Sequence, residues 1–187
     1  NRLTARTSST LEAVTGALSS GVRTYTSATT YTGLDGSGIG IAILDSGIGN
    51  YNKAMNDDTG AIRVKRAVDF QKVGDATAVG AKDWTAGVDA SVGMIPGSAA
   101  MATYESNIDS TGAKLRDPYG HGSHVASIAA GRGYFQSPDA SGVAPKANLY
   151  DVKVLDSRGY GQMSDVLAGI DWVIYHAKEY NIRVMNL

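Results

Sequence analysis

Gly-Ile-Gly-Ile-Ala-Ile-Leu-Asp-Ser-Gly, residues 38–47, decides how this chain is read. Its apolar part, Ile39 to Leu44, is short, rich in isoleucine and bounded by glycine. An apolar run without polar alternation predicts a strand buried on both faces, as strands of parallel sheets are. Asp45 closes the run, and Ser46-Gly47 allow a sharp turn directly after it.

The neighbouring segments extend the pattern. Arg63 to Phe70 alternates well enough for a strand, and Leu149-Tyr150-Asp151-Val152-Lys153-Val154-Leu155 predicts another. After His121 the spacing turns helical, with Val125, Ile128 and Ala129 on one side and Gly131 as the stop. Ser164 to Tyr180 is the clearest helix, placing Val166, Ile170, Val173 and Ala177 on one face, with Asn181 as C-cap. Ile182 to Leu187 begins a further strand. Strand, helix, strand, helix, strand implies right-handed crossovers. The fold class is therefore α/β, a doubly wound parallel sheet with helices on both faces, incomplete at the C-terminus.

The flanks are less regular. Residues 1–36 are rich in Thr, Ser and Gly and read as a surface lead-in. Ser9-Thr10-Leu11-Glu12 is a capping-box pattern that predicts a short helix, with Leu11, Val14 and Leu18 on one face. Residues 71–113 are loaded with Ala, Gly, Ser, Thr and Asp; they predict no firm element and read as an insertion. No repeat or linker divides the chain, so 1–187 reads as a single domain.

Composition narrows the function classes. The 187 residues are 43% apolar and 19% charged, which is ordinary for a globular domain. A net charge of −1 supplies no field to recruit nucleic acid or an anionic membrane. No apolar run approaches the roughly 20 residues that span a bilayer. With no cysteine, disulfides, thiolate metal sites and a cysteine nucleophile are excluded. The N-terminal residues lack the apolar core of a signal peptide.

The chemistry sits in two places. In an open parallel sheet, sites form beyond the carboxyl ends of strands, where Asp45 lies. His121 lies in Asp-Pro-Tyr-Gly-His-Gly-Ser-His-Val-Ala (117–126), between glycines at a helix start, where backbone can approach a substrate closely. A carboxylate that accepts the imidazole N–H fixes its tautomer and stabilises the imidazolium. A histidine near neutrality can serve as both base and acid. Singly, each residue has a bland reading: an Asp ending a strand is most often a turn residue, and a His in a glycine-rich loop is usually surface. The pair, in this order and context, is a far rarer coincidence.

Ile-Ala-Ile-Leu-Asp-Ser-Gly-Ile (41–48) and Gly-His-Gly-Ser-His-Val-Ala (120–126) resemble the aspartate and histidine motifs of subtilisin-like serine proteases, the subtilases. Gly-Val-Ala-Pro-Lys-Ala-Asn-Leu-Tyr-Asp-Val-Lys-Val-Leu (142–155) is similar to the stretch after that family's histidine helix. The likeness covers about 38–48 and 117–187. It implies a serine endopeptidase acting through an acyl-enzyme, with Asp45 orienting the imidazole of His121, a structural His124, and a solvated surface His176. It also implies that Gly159, Tyr160 and Gly161 offer backbone hydrogen bonds to an extended peptide, with Leu155 and Met163 lining apolar pockets. A glycine-rich turn is the bland reading of that segment.

The sequence departs from the family in the long interval between Asp45 and His121 and at 131–140, which does not look like a calcium loop. Structural calcium is not readable, no organic cofactor is implied, and Asp57-Asp58-Thr59-Gly60 reads as an exposed turn rather than a cation site. The family's asparagine and Gly-Thr-Ser nucleophile motif would follow Leu187. The expectation is therefore an N-terminal part, inactive alone, whose partners are a polypeptide substrate and the remaining C-terminal part of the same protease, with neither nucleic acid nor membrane. Cut at Leu187, it should expose apolar surface and not fold by itself. The resemblance implies a secreted or extracytoplasmic location. The rival reading is a catalytically inactive peptide-binding relative. A nucleotide-binding domain fits poorly, because Gly36-Ser37-Gly38-Ile39-Gly40 precedes its strand instead of following it.

Overall fold

In the computed structural model, which describes residues 9–27, 30–49, 51–74, 95–113, 116–133 and 139–187, the apolar run becomes the most buried strand of the sheet. The elements in chain order are α1 (Thr10–Val14), β1 (Arg23–Tyr25), β2 (Tyr31–Gly33), β3 (Gly40–Asp45) and a short 3₁₀ turn (Lys53–Met55). Then come β4 (Val64–Asp69), α2 (Gln71–Gly74), α3 (Ala99–Ile108) and α4 (His121–Ala130). The last three are β5 (Asn148–Lys153), α5 (Met163–His176) and β6 (Ile182–Asn186).

The main sheet runs β4-β5-β3-β6 with every pairing parallel. All six residues of β3 are buried, as its unbroken apolar sequence requires. Each face of the sheet carries its own core. Ala42, Leu44, Val152 and Val154 pack with Trp172 and Val173 of α5 and Ile108 of α3. On the opposite face, Ile41, Ile43 and Leu149 pack with Ala126 and Ala130 of α4. Helices on both faces of a parallel sheet make the α/β, doubly wound arrangement. Burying each such Leu, Ile or Val contributes roughly 1.5–3 kcal/mol.

Several local expectations are corrected. The 71–113 stretch is not featureless: Ser98 caps α3, accepting the Met101 N–H at 3.1 Å. Residues 75–94 of that stretch, and 134–138 of the 131–140 loop, lie outside the described residues. Helix α1 forms where the capping box predicts it, but Val14 is 80% exposed and its buried residue is Glu12. Glu12 is paired with the buried Arg23 at 2.6 Å, and Ser9 Oγ donates to the Ser141 carbonyl at 2.7 Å. The lead-in is thus pinned through buried polar groups, where the sequence suggested an apolar stripe.

Helix α4 buries Gly122, Ala126 and Ala130 and leaves Ile128 exposed. Small residues face the sheet because the helix packs close to it. His176 is not a solvated residue. It is 6% exposed, lies between Glu105 (3.0 Å) and Glu179 (2.9 Å), and stacks on Tyr180. Burial disfavours its charged form, but the two carboxylates prevail and raise its pKa. Helix α5 ends at His176 with Ala177 as its C-cap, short of the expected end at Tyr180 and cap at Asn181. Asn181, at φ 49°, turns the chain into β6, and the Ile182 N–H returns to the Ala177 carbonyl.

Candidate active site

Asp45 ends β3 and is 5% exposed; His121 is the first residue of α4. The two meet across 76 positions of sequence, with His121 Nδ1 2.7 Å from Asp45 Oδ2. Asp45 Oδ1 accepts the Ser46 N–H at 2.7 Å, so both carboxylate oxygens are engaged. The Asp45 carbonyl receives the N–H groups of Val154 and Leu155, locking the strand end to the segment that leaves β5. The imidazole side chain is 55% exposed, and Asp45 is its one side-chain hydrogen-bond partner among the described residues. An oriented, solvent-facing imidazole can take a proton from a hydroxyl presented to it.

Two of the glycines around the pair, Gly47 and Gly122, serve close packing rather than open space. Gly122 does not open space for a substrate: a methyl there would overlap the Gly47 carbonyl oxygen and stand 3.1 Å from Asp45 Cβ. Gly47, at φ 116°, leaves its own missing side chain against the Arg116 carbonyl. The strand end and helix start therefore touch backbone to backbone.

Below this contact, residues the sequence reading passed over form a buried polar layer. Asp117 receives the Ser46 hydroxyl, the Gly120 N–H and the Ser123 N–H. The spacing Asp-x-x-Gly before a helix was the signal for it. Asp151, in the middle of β5, accepts the Ile48 N–H at 3.0 Å. Burial pushes its carboxyl up to about 8, against the opposing pull of Ile48 N–H and Arg116.

That shift has a testable sign. Unfolded, the carboxyl ionises near 3.9, at about its ordinary value; folded, it holds its proton up to about 8. The folded state binds more protons between those values, so this group costs stability progressively as pH rises from about 4 to about 8. Asp151→Asn keeps an oxygen for Ile48 and removes the titration. The variant should be more stable at pH 8 by on the order of a few kcal/mol and show a flatter profile. Thermal denaturation across that range checks it, and a profile parallel to the parent's would contradict it.

The segment after β5 is a tight turn built on Asp156. Its Oδ1 accepts the N–H groups of Arg158 (2.8 Å) and Tyr160 (3.0 Å), and its own N–H goes to the Tyr160 carbonyl at 2.6 Å. Gly159 turns at φ 81° and donates to the Asp156 carbonyl. Both backbone groups of Tyr160 are thus spent inside the turn, which corrects the expectation that they face a peptide. Gly161 takes no part in those bonds. The side chains of Tyr160 and Met163 are 70% and 73% exposed, and Leu155 is half-buried against the core. The Tyr119 ring covers Gly159 and lies 6.3 Å from the His121 ring, linking this turn to the imidazole. His124 is exposed on α4. Among the described residues no group of three or more His, Asp or Glu side chains could hold a metal ion, and no helix is long and apolar enough to cross a membrane.

A doubly wound sheet that brings an Asp at the end of one strand onto a His at the start of a later helix defines a class of α/β domain with an acid–imidazole site. The chain belongs to the subtilase family, whose family model matches residues 36–187. It is similar to Alkaline protease 2 of Aspergillus fumigatus, 53% identical over 58 residues covering 31% of this chain and 10% of that protein. It is also similar to Subtilisin-like protease 5 of Arthroderma gypseum, 46% identical over 67 residues covering 36% of this chain and 15% of that one. The chain thus matches well under a fifth of the length of these relatives. Among solved structures, Sphericase aligns with TM-score 0.52 at 24% identity, covering 89% of this chain and 43% of that one. The CspB protease of Clostridium perfringens aligns with TM-score 0.53 at 21% identity, covering 82% and 29%. At those identities the structures speak for the fold alone.

Proposed function

We propose that this chain is the acid-and-imidazole portion of a serine endopeptidase. His121 acts as general base and then general acid, and Asp45 orients it and stabilises the imidazolium. The nucleophilic serine lies outside these 187 residues, in the C-terminal part of the same protease, so 1–187 alone is inactive. The observation that carries the reading is the 2.7 Å contact between Asp45 Oδ2 and His121 Nδ1, on motifs of a protease family.

The substrate is a polypeptide, held in extended form beside Gly161, with Leu155 and Met163 offering apolar contacts and Gly159 and Tyr160 supplying the turn that positions them. Neither an organic cofactor nor a nucleic-acid or membrane partner is part of the reading. The protein works outside the cytoplasm, in keeping with a polypeptide-degrading enzyme of this family.

The test is casein hydrolysis by the full-length protein, blocked by a serine-directed organophosphonate. In the same assay Gly161→Pro should raise KM at least tenfold, because proline removes the N–H that would pair with the peptide and its Cβ would overlap the Val154 carbonyl oxygen. Absence of organophosphonate-sensitive hydrolysis would refute the enzyme reading, and unchanged KM in Gly161→Pro would refute the groove.

A further inference from the structure

We propose that Asp117 is a positioning residue for the Asp45–His121 pair, a carboxylate that ties the end of β3 to the start of α4 and so fixes how the two side chains meet. This rests on the reading above. Asp45 and His121 belong to elements far apart in sequence, and the imidazole is more than half exposed. Their mutual bond alone leaves the ring free to swing with the helix. Productive geometry needs the two backbones held at a set distance.

Asp117 is placed to hold them. It is 5% exposed, and its Oδ1 accepts the Ser46 Oγ–H and the Gly120 N–H, both at 2.7 Å. Its Oδ2 accepts the Ser123 N–H at 2.8 Å. Ser46 Oγ in turn accepts the Gly122 N–H at 3.0 Å. The residue that follows Asp45 and the residues on both sides of His121 therefore converge on one carboxylate, directly or through one hydroxyl. Asp117 touches neither Asp45 nor His121 with a hydrogen bond of its own.

The arrangement also supplies what the helix lacks. The N-cap of α4 is Gly120, which has no side chain to cap with. Asp117 does the capping from three residues upstream, placing negative charge where the helix N–H groups are unpaired. Burial alone would raise its pKa, but the hydrogen bonds from Ser123, Ser46 and Gly120 outweigh burial and lower it. The group is therefore ionised at neutral pH, and its bonds are charge-assisted.

The experiment uses the full-length protein with kcat, KM, thermal midpoint and the fraction of competent sites from active-site titration. Asp117→Ala should lower kcat per titrated site about 10²-fold, the scale of a 1 Å misplacement, with KM within about threefold of the parent. Ser46→Ala should lower it about tenfold, and the double variant should lose no more than Asp117→Ala alone, because both act through one bridge. If Asp117→Ala does not fold, Asp117→Asn replaces it: the amide cannot serve all three donors, and about tenfold is expected. A purely structural role would reduce the midpoint and the titrated fraction while leaving kcat per site at the parent value, and that result overturns the proposal. So do losses that multiply in the double variant. Full activity in Asp45→Asn would instead sink the underlying catalytic reading, so the two failures are told apart.

Discussion

Asp45→Asn in the full-length protein should lower kcat about 10⁴-fold with KM close to the parent value. The size follows from which atoms are already committed. Asp45 Oδ1 receives the Ser46 N–H, and Oδ2 faces His121 Nδ1. An asparagine in that place must satisfy the Ser46 N–H with its one oxygen, which turns its NH₂ toward Nδ1. The imidazole then accepts at Nδ1 and carries its proton on Nε2, where it can no longer take one from a serine. The wrong tautomer, with geometry intact, removes the base without disturbing the peptide groove around Gly161. Peptide kinetics with active-site titration measure it. A loss below tenfold would mean that Asp45 only closes the strand.

The parts of this architecture that could be read in advance are those where one physical demand dominates. Residues 40–44 are all buried in a strand covered on both faces, so their unbroken apolar character alone identifies it. The two motifs name both partners of the 2.7 Å contact, since each keeps its chemistry next to glycines at which strand end and helix start meet. What escaped are places where polar groups were buried with partners distant in sequence. Glu12 reads as a surface residue until Arg23 is brought to it, and His176 until Glu105 and Glu179 flank it. Hydrophobic periodicity also misjudged faces: α4 packs through Gly122, Ala126 and Ala130, where smallness matters more than hydropathy, and so turns Ile128 outward. Helix α3 buries only Ile108 within its span, too little to leave a periodic signal. Asp117 and Ser46 acquire meaning only when strand end and helix start are seen together.

Gly122→Ala should lower kcat about 10²-fold and destabilise the protein, against its intrinsic helix preference. Gly122 is the second residue of α4, and alanine there would ordinarily favour the helix by about 1 kcal/mol. The surroundings reverse that sign. The added methyl would overlap the Gly47 carbonyl oxygen and press on Asp45 Cβ, both rigid parts of the strand end. Gly47 cannot retreat, because its own Cα is already set against the Arg116 carbonyl at a positive φ. The helix start must therefore lift away, carrying His121 from Asp45 and stretching the Gly122 N–H to Ser46 Oγ bond. Overpacking of this kind costs about 1–3 kcal/mol, which exceeds the propensity gain. A lift of about 1 Å is worth about 10²-fold in kcat. Thermal denaturation and peptide kinetics on the same preparation read both effects. A variant more stable than the parent with undiminished kcat would show that the strand end and helix start are not in the backbone contact on which the site depends.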